Sequence, residues 1–446
     1  MASYILPGNE LNVIQIAPSV GTPLKVLPLQ GQNRIAPGIR NEPLNRFIAL
    51  QNLEDLNCIQ LLDKILQEAV HHRVSDIHVE CRENDVRLRF RIDGVMYPAA
   101  TLANDIHPQL LSRIKILAGM DIAEKRLPQD GRFTYASRNG KVDCRVSTLP
   151  TIQGEKAVIR ILDRAQAITE LKQLGLSARN LHLLRCLSQR SHGLLLVTGP
   201  TGSGKTSTLY ALLHHINTAD RNIITLEDPV EYSLENINQV QINPKAGLRF
   251  ASGLRSALRQ DPDVIMVGEI RDEETAQLAV HAALTGHLVL STLHTNSAAA
   301  AVARLLDMGC EPYLLASALS GIVAQRLVRL LCPLCRQDYI VGENETAWLK
   351  WPGVCGQPFY QPIGCSHCYG LGYKGRTAIQ EVMAVGTRLK KAIYAGARSE
   401  EEMEDLAISN HMVPIKQDGI DKARQGFSSL EEVVRVINQD SEREES

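Results

Sequence analysis

Residues 199–206 read Gly199-Pro200-Thr201-Gly202-Ser203-Gly204-Lys205-Thr206, the full pattern G-x-x-x-x-G-K-[ST]. Glycines at these positions let backbone N–H groups wrap phosphate oxygens, and a helix starting here adds the partial positive charge of its N-terminus. In such a loop the Lys205 ammonium bridges the β- and γ-phosphates of ATP and the Thr206 hydroxyl holds Mg²⁺, with Ser207 next in line. A chance glycine turn is the bland alternative. The setting opposes it, because the apolar run Leu194–Val197 precedes the loop and the helical pattern STLYALLHHI follows.

Carboxylates cluster after two further apolar runs. The first run ends in LEDPVEY, with Glu227, Asp228 and Glu231. The second ends in DVIMVGEIRD, where Gly268 takes the place that usually holds a magnesium-side acid and Glu269 follows. A carboxylate at a strand end beside the phosphate loop can orient and deprotonate the attacking water, the role expected of Glu269. Glu227 and Asp228 would act on magnesium waters or polarise the nucleophile. Each has an ordinary turn carboxylate as its plain alternative. A further run, TGHLVLSTLHTN, is flanked by His287 and His294. A histidine at the end of a core strand can sense the γ-phosphate by hydrogen bonding, although a lone histidine is more often a satisfied core residue.

Cys332 and Cys335 form CPLC, and Cys365 and Cys368 form CSHC. Two C-x₂-C knuckles suit the closed, tetrahedral Cys₄ shell of structural zinc. The 29 residues between the knuckles exceed the usual spacing of roughly 15–20, which an insert folded on itself accommodates. Four thiolates leave no open position for catalysis. The remaining cysteines (Cys58, Cys81, Cys144, Cys186, Cys310, Cys355) are scattered.

The elements that must position these residues fall into two patterns. Residues 1–50, rich in Pro, Gly and Asn, read as a weakly ordered arm. From 51 to 164 an α+β domain is expected: an amphipathic helix from Asn57 to Val70, a hairpin made of SDIHVE and DVRLRFRIDGV, a second helix near Pro108–Leu117, and the strands RFTYAS, KVDCRVSTL and KAVIRIL. Residues 165–176 look like a linker. Over 177–330, helical segments separate the short apolar runs GLLLVTG, NIITLED, DVIMVGE and HLVLSTL, the pattern of a buried parallel sheet in an α/β fold. A zinc module is expected over 331–375 and a helical region over 376–446.

Composition bounds the function. The 446 residues carry 48 basic and 49 acidic side chains and are 44% hydrophobic, ordinary for a cytosolic globular chain. The net charge of -1 and the lack of a basic, aromatic-rich segment argue against a nucleic-acid partner. No run approaches the roughly 18 apolar residues of a membrane span.

Together SDIHVE, RIDGV, KRLPQDGR, GPTGSGKT, EDPVEY, RQDPDVIMVGEIRD, TGHLVLSTLHTN, AQRLVR and GYKGRTAIQEV, in this order, resemble the secretion ATPase family, the motors of type II secretion and type IV pilus assembly. The resemblance runs from about Leu53 to the C-terminus. It implies a PAS-like N-terminal domain joined to a RecA-like ATPase domain, a homohexameric ring, and ATP hydrolysis that moves the two domains. It also implies a cytoplasmic position at the inner membrane, peripheral through partners, with a platform protein coupling the motion to pilin or pseudopilin. In the family the tetracysteine marks extension motors. The short segment before the first helix favours a pilus or competence system over type II secretion. The resemblance also brings N-terminal-domain arginines to the nucleotide, here Arg132 of QDGR and Arg145 of DCRVSTL, although most such arginines pair with surface carboxylates. A RecA-like nucleic-acid motor and a non-hydrolysing scaffold are the competing readings. The charge balance opposes the first, and intact Lys205, Thr206 and Glu269 oppose the second.

Overall fold

The computed structural model describes residues 4–5, 53, 56–137, 140–162, 170–343, 346, 351–397 and 399–438. Apart from residues 4–5, the expected N-terminal arm lies outside them. The chain divides into two compact units, residues 1–166 with 363–374, and residues 167–362 with 375–446.

The first unit is built on an antiparallel sheet. Its strands are β1 (Tyr4–Ile5), β2 (Asp76–Cys81), β3 (Asp85–Ile92), β4 (Val95–Ala103), β5 (Gln129–Ser137), β6 (Gly140–Thr151) and β7 (Gly154–Leu162), in the order β1-β5-β6-β7-β2-β3-β4. Strict alternation in β3 buries Val86, Leu88, Phe90 and Ile92 and turns Arg87, Arg89 and Arg91 outward. The buried face packs on two helices. Helix Cys58–His71 is started by a capping box in which Asn57 and Gln60 exchange bonds of 3.1 and 3.0 Å. Helix His107–Ala118 opens near Pro108 and stops at the left-handed Gly119.

The second unit carries the parallel sheet. Its strands are β8 (Gly193–Thr198), β9 (Ile223–Glu227), β10 (Asn238–Gln241), β11 (Val264–Val267), β12 (Leu288–Leu293), β13 (Leu319–Leu331) and, beyond the short antiparallel pair β14 (Gln337–Ile340) and β15 (Pro358–Gln361), β16 (Tyr373–Ala384). The order is β10-β9-β11-β12-β8-β13-β16. Both faces are covered. Leu194 and Leu196 enter one core with Val267, Val289 and Leu319, while Leu195 and Val197 enter the other with Met266, Leu290 and Tyr210. Burial of each such aliphatic side chain contributes about 1.5–3 kcal/mol, which is why β8 is a continuous apolar run.

Two expectations change. The region 376–446 is not wholly helical, because β16 runs to Ala384 and forms the edge of the sheet beside β13. Its buried Gln380 and Glu381 interrupt the apolar pattern that would have marked a strand. Within the expected linker, Leu171–Leu174 form a 3₁₀ turn whose Leu171 and Leu174 are buried in the second unit's core.

Candidate functional site

The phosphate loop leaves the C-terminal end of β8 and feeds helix Lys205–Ile216. Its shape requires glycine at both ends. Gly199 has φ +145°, and a Cβ there would come within 2.3 Å of the Gln325 carbonyl oxygen. Gly204, the residue before the helix, has φ +87°. Thr201, Gly202 and Thr206 are exposed, Gly204, Lys205 and Ser207 are half-buried, and the Ser203 side chain is buried. Lys205 Nζ donates to the Gly199 carbonyl at 2.6 Å and to the Pro200 carbonyl at 3.1 Å. Burial pushes its ammonium down to about 8, against the pull of the Glu269 charge.

Glu269 follows β11 and is fixed by its neighbours. Gly268 N–H donates to the Leu226 carbonyl, Ile270 N–H donates to the Thr292 carbonyl, and the Thr292 hydroxyl donates to the Gly268 carbonyl. The Glu269 side chain is 14% exposed, pairs with the Arg271 guanidinium, and lies 3.5 Å from His294 Nε2. Burial lowers the His294 pKa, Lys205 lowers it further, and Glu269 opposes both. The bond to Glu269, together with the Glu269 and Asp228 charges, raises the pKa of Arg271. Lys205, Glu269, His294, Arg271 and Asp228 thus form one electrostatically coupled group beside the loop. Arg271 was not singled out in the sequence, although its place two residues past a strand-end carboxylate is a usable signal.

Glu227 takes a different place from the one expected. It is 4% exposed, and its carboxylate accepts from Tyr210 Oη, from Thr225 Oγ1 at 2.5 Å and from Gln239 Nε2 at 3.0 Å. Three donors hold it as an anchor beneath the acidic loop. Tyr210 Oη also accepts from the Glu231 N–H at 3.3 Å, and the Tyr210 and Tyr232 rings meet edge-on at 4.7 Å. Through Tyr210 the acidic loop is tied to the phosphate-loop helix, with Asp228 exposed.

His287 is also corrected. It precedes β12, whose first residue, Leu288, stands opposite Gly193, whereas the phosphate loop follows Thr198. Six residues of strand, about 20 Å, separate it from the loop. Its Nδ1 lies 3.0 Å from the Ala282 carbonyl. His294, past the other end of β12, is the histidine on the loop side.

In the first unit, Arg132 and Arg145 are opposite each other across β5 and β6, and Arg145 is opposite Arg160 across β6 and β7. Next along this row, Asp76 accepts from Arg160 Nε at 2.9 Å. The sulfurs of Cys332, Cys335, Cys365 and Cys368 all lie within 4.8 Å of one another. Cys365 Sγ and Cys368 Sγ are 3.8 Å apart, close to the edge of a tetrahedron with Zn–S bonds of about 2.3 Å. The N–H groups of Cys365 and Gly372 donate to Cys368 Sγ at 3.2 Å, as bonds that support a thiolate do. The donor set and its spacing fit zinc.

A glycine loop between a buried parallel strand and a helix, with a lysine, a shielded carboxylate and a histidine beside it, defines an ATP-hydrolysing α/β protein. The chain matches the family described as Type II/IV secretion system protein over residues 51–435 and belongs to it. It is 49% identical over 392 residues to type II secretion system protein E of Dickeya dadantii, covering 88% of this chain and 78% of that protein. It is 46% identical over 385 residues to the type IV pilus assembly ATPase PilB of Thermus thermophilus, covering 86% of this chain and 43% of that protein. The pilus retraction motor PilT with bound ADP has a TM-score of 0.54 at 28% identity, covering 83% of this chain and 95% of that one. The ATPase DotB of Legionella pneumophila shares the fold, with a TM-score of 0.63 at 21% identity, covering 86% of this chain and 95% of that one. The chain is an ATPase of the secretion ATPase family. No helix among the described residues is long and apolar enough to cross a membrane.

Proposed function

We propose that the chain is the ATPase that powers a type II secretion system at the cytoplasmic face of the inner membrane. The likeness to type II secretion system protein E, 49% over 88% of the chain, carries this reading. It reverses the order of preference drawn from the sequence, where a pilus or competence motor came first. Pilus assembly is the second reading, supported by the pilus ATPase at 46% identity.

In the proposed cycle Lys205 leaves the Gly199 and Pro200 carbonyls and binds the β- and γ-phosphates. The loop N–H groups and the helix N-terminus hold the remaining phosphate charge. Glu269 takes the proton of the attacking water, and Arg271 and His294 orient its carboxylate. Thr206 and Asp228 are the residues that would hold Mg²⁺ and its waters, and that ion supplies charge neutralisation for phosphoryl transfer. Glu227 and Tyr210 keep the acidic loop in place. Arg132 and Arg145, from a PAS-like first unit, supply further positive charge to the γ-phosphate in a homohexamer. Zinc, held by Cys332, Cys335, Cys365 and Cys368, staples its module. A platform protein in the inner membrane takes up the motion.

Deletion of the gene in its host tests the reading. The expected result is that exoproteins vanish from the medium and return with the wild-type gene but not with Lys205→Ala. Unchanged exoprotein release together with loss of surface pili would move the assignment to pilus assembly.

A further inference from the structure

The phosphate loop is gripped from below by a residue that neither the motif nor the mechanism uses. Gln325 lies in β13 and is 1% exposed. The preceding residue, Ala324, stands opposite Thr198, the last residue of β8, so Gln325 is level with the start of the loop. Its side-chain amide reaches two points of the nucleotide-binding segment. Nε2 donates to the Ser203 carbonyl at 2.8 Å, and Oε1 accepts from Thr208 Oγ1 at 2.8 Å. Its backbone carbonyl occupies the space that a Cβ on Gly199 would need. Gly199, Ser203 and Thr208 are the start of the loop, its middle, and the first turn of the following helix. The orientation of the amide is forced, because a carbonyl only accepts and therefore requires the NH₂ end.

A second buried amide completes the arrangement. Gln380 in β16 donates from Nε2 to Gln325 Oε1 at 3.2 Å. The Gln380 backbone N–H donates to Asp418 Oδ2 at 2.8 Å, and Asp418 pairs with Lys422 at 2.6 Å. Gln380, Asp418 and Lys422 are all buried. A polar chain therefore runs through the core from helix Ile415–Arg424 to the Ser203 carbonyl. Groups buried in this way are costly unless paired, so each member fixes the next.

We propose that Gln325 is a positioning residue for ATP binding, holding the phosphate loop in its binding shape, and that Gln380, anchored by Asp418 and Lys422, sets its orientation. Gln325 does not touch substrate. It acts through the Ser203 carbonyl and the helix start, so its removal raises KM and the nucleotide Kd far more than it lowers kcat. The inference rests on the ATP reading of the loop and is independent of the secretion reading.

The test uses the full chain, with Mg-ADP binding and steady-state ATP hydrolysis measured on Gln325→Glu, Gln325→Leu and Gln380→Leu. Glu keeps the acceptor for Thr208 but turns a carboxylate oxygen on the Ser203 carbonyl. Gln325→Glu is expected to weaken ADP binding and raise KM about tenfold, the effect of losing one buried hydrogen bond, and Gln325→Leu, which loses the bonds to Ser203, Thr208 and Gln380, at least as much, with kcat within about twofold of wild type in both. Gln380→Leu is expected to shift both severalfold in the same direction. Wild-type affinity in both folded Gln325 variants overturns the proposal, and wild-type affinity in Gln380→Leu removes the C-terminal arm from it. If the Gln325 variants do not fold, Thr208 decides. Weakened binding in Thr208→Val with normal binding in Thr208→Ser supports the proposal, and normal binding in both overturns it. Failure of the wild-type chain to bind ADP would instead overturn the ATP reading itself.

Discussion

Lys205 Nζ is folded back onto the Gly199 carbonyl at 2.6 Å, so the cation meant for phosphate already closes its own loop. Nucleotide binding then exchanges carbonyl partners for charged phosphate oxygens, a stronger partner for an ammonium. Lys205→Ala should abolish ATP hydrolysis, measured as phosphate release, while thermal unfolding without nucleotide stays near wild type.

The same lysine sets a pH dependence. Its folded pKa, about 8, lies below its ordinary value of 10.5. The folded chain therefore binds fewer protons than the unfolded chain between those values. The destabilisation is complete below about pH 8 and is relieved as pH rises toward 10.5. Function runs the other way, because only the charged form binds phosphate. kcat/KM for ATP should be level below about pH 8 and fall above it, since this parameter reports the free enzyme. A level profile to pH 9.5 would remove Lys205 from that role.

Removing the Tyr210 hydroxyl should loosen the acidic loop. Tyr210→Phe takes one donor from the buried Glu227 carboxylate and the acceptor from the Glu231 N–H. The expected loss is about 1–3 kcal/mol of stability, read as a lower Tm or urea midpoint. Unchanged stability would mean that Thr225 and Gln239 satisfy Glu227 alone.

The purified chain should carry about one zinc, and Cys365→Ser should release it while Mg-ADP still binds. Metal analysis without chelators checks this. Zinc-free protein with an intact fold contradicts it.

Arg132→Ala and Arg145→Ala should each bind ATP and hydrolyse it about 10³-fold more slowly, as expected of arginines that stabilise transition-state charge. Mixing Arg132→Ala with Lys205→Ala chains restores some activity if the arginine serves a neighbouring subunit, and none if it serves its own. Wild-type rates in both single variants would assign the arginines to the surface of the sheet.

What the sequence revealed and what it hid follow from distance along the chain. The phosphate loop was legible because eight adjacent residues do one job between a buried strand and a helix. The placing of Glu269 and His294 beside the loop was legible because the C-terminal ends of parallel strands share one edge. The same rule, applied to His287 at the start of β12, would have excluded it. Gln325, by contrast, meets Thr208 and Ser203 across 117 and 122 residues, and although it lies within AQRLVR, nothing local shows that it reaches the phosphate loop. The partners of Glu227 were hidden because a strand-end carboxylate looks alike in sequence whether or not a buried tyrosine donates to it. β16 was missed because Gln380 and Glu381 are buried by partners that the linear pattern does not show.

The central claim is that Glu269, held by Arg271 and His294 beside Lys205, takes the proton of the attacking water. Glu269→Gln keeps the shape of the side chain and removes the base. Mg-ATP binding and phosphate release measured on this variant test the claim most directly. The account predicts binding within a few-fold of wild type and turnover slowed by about 10²-fold or more. Turnover at the wild-type rate with intact binding would contradict it.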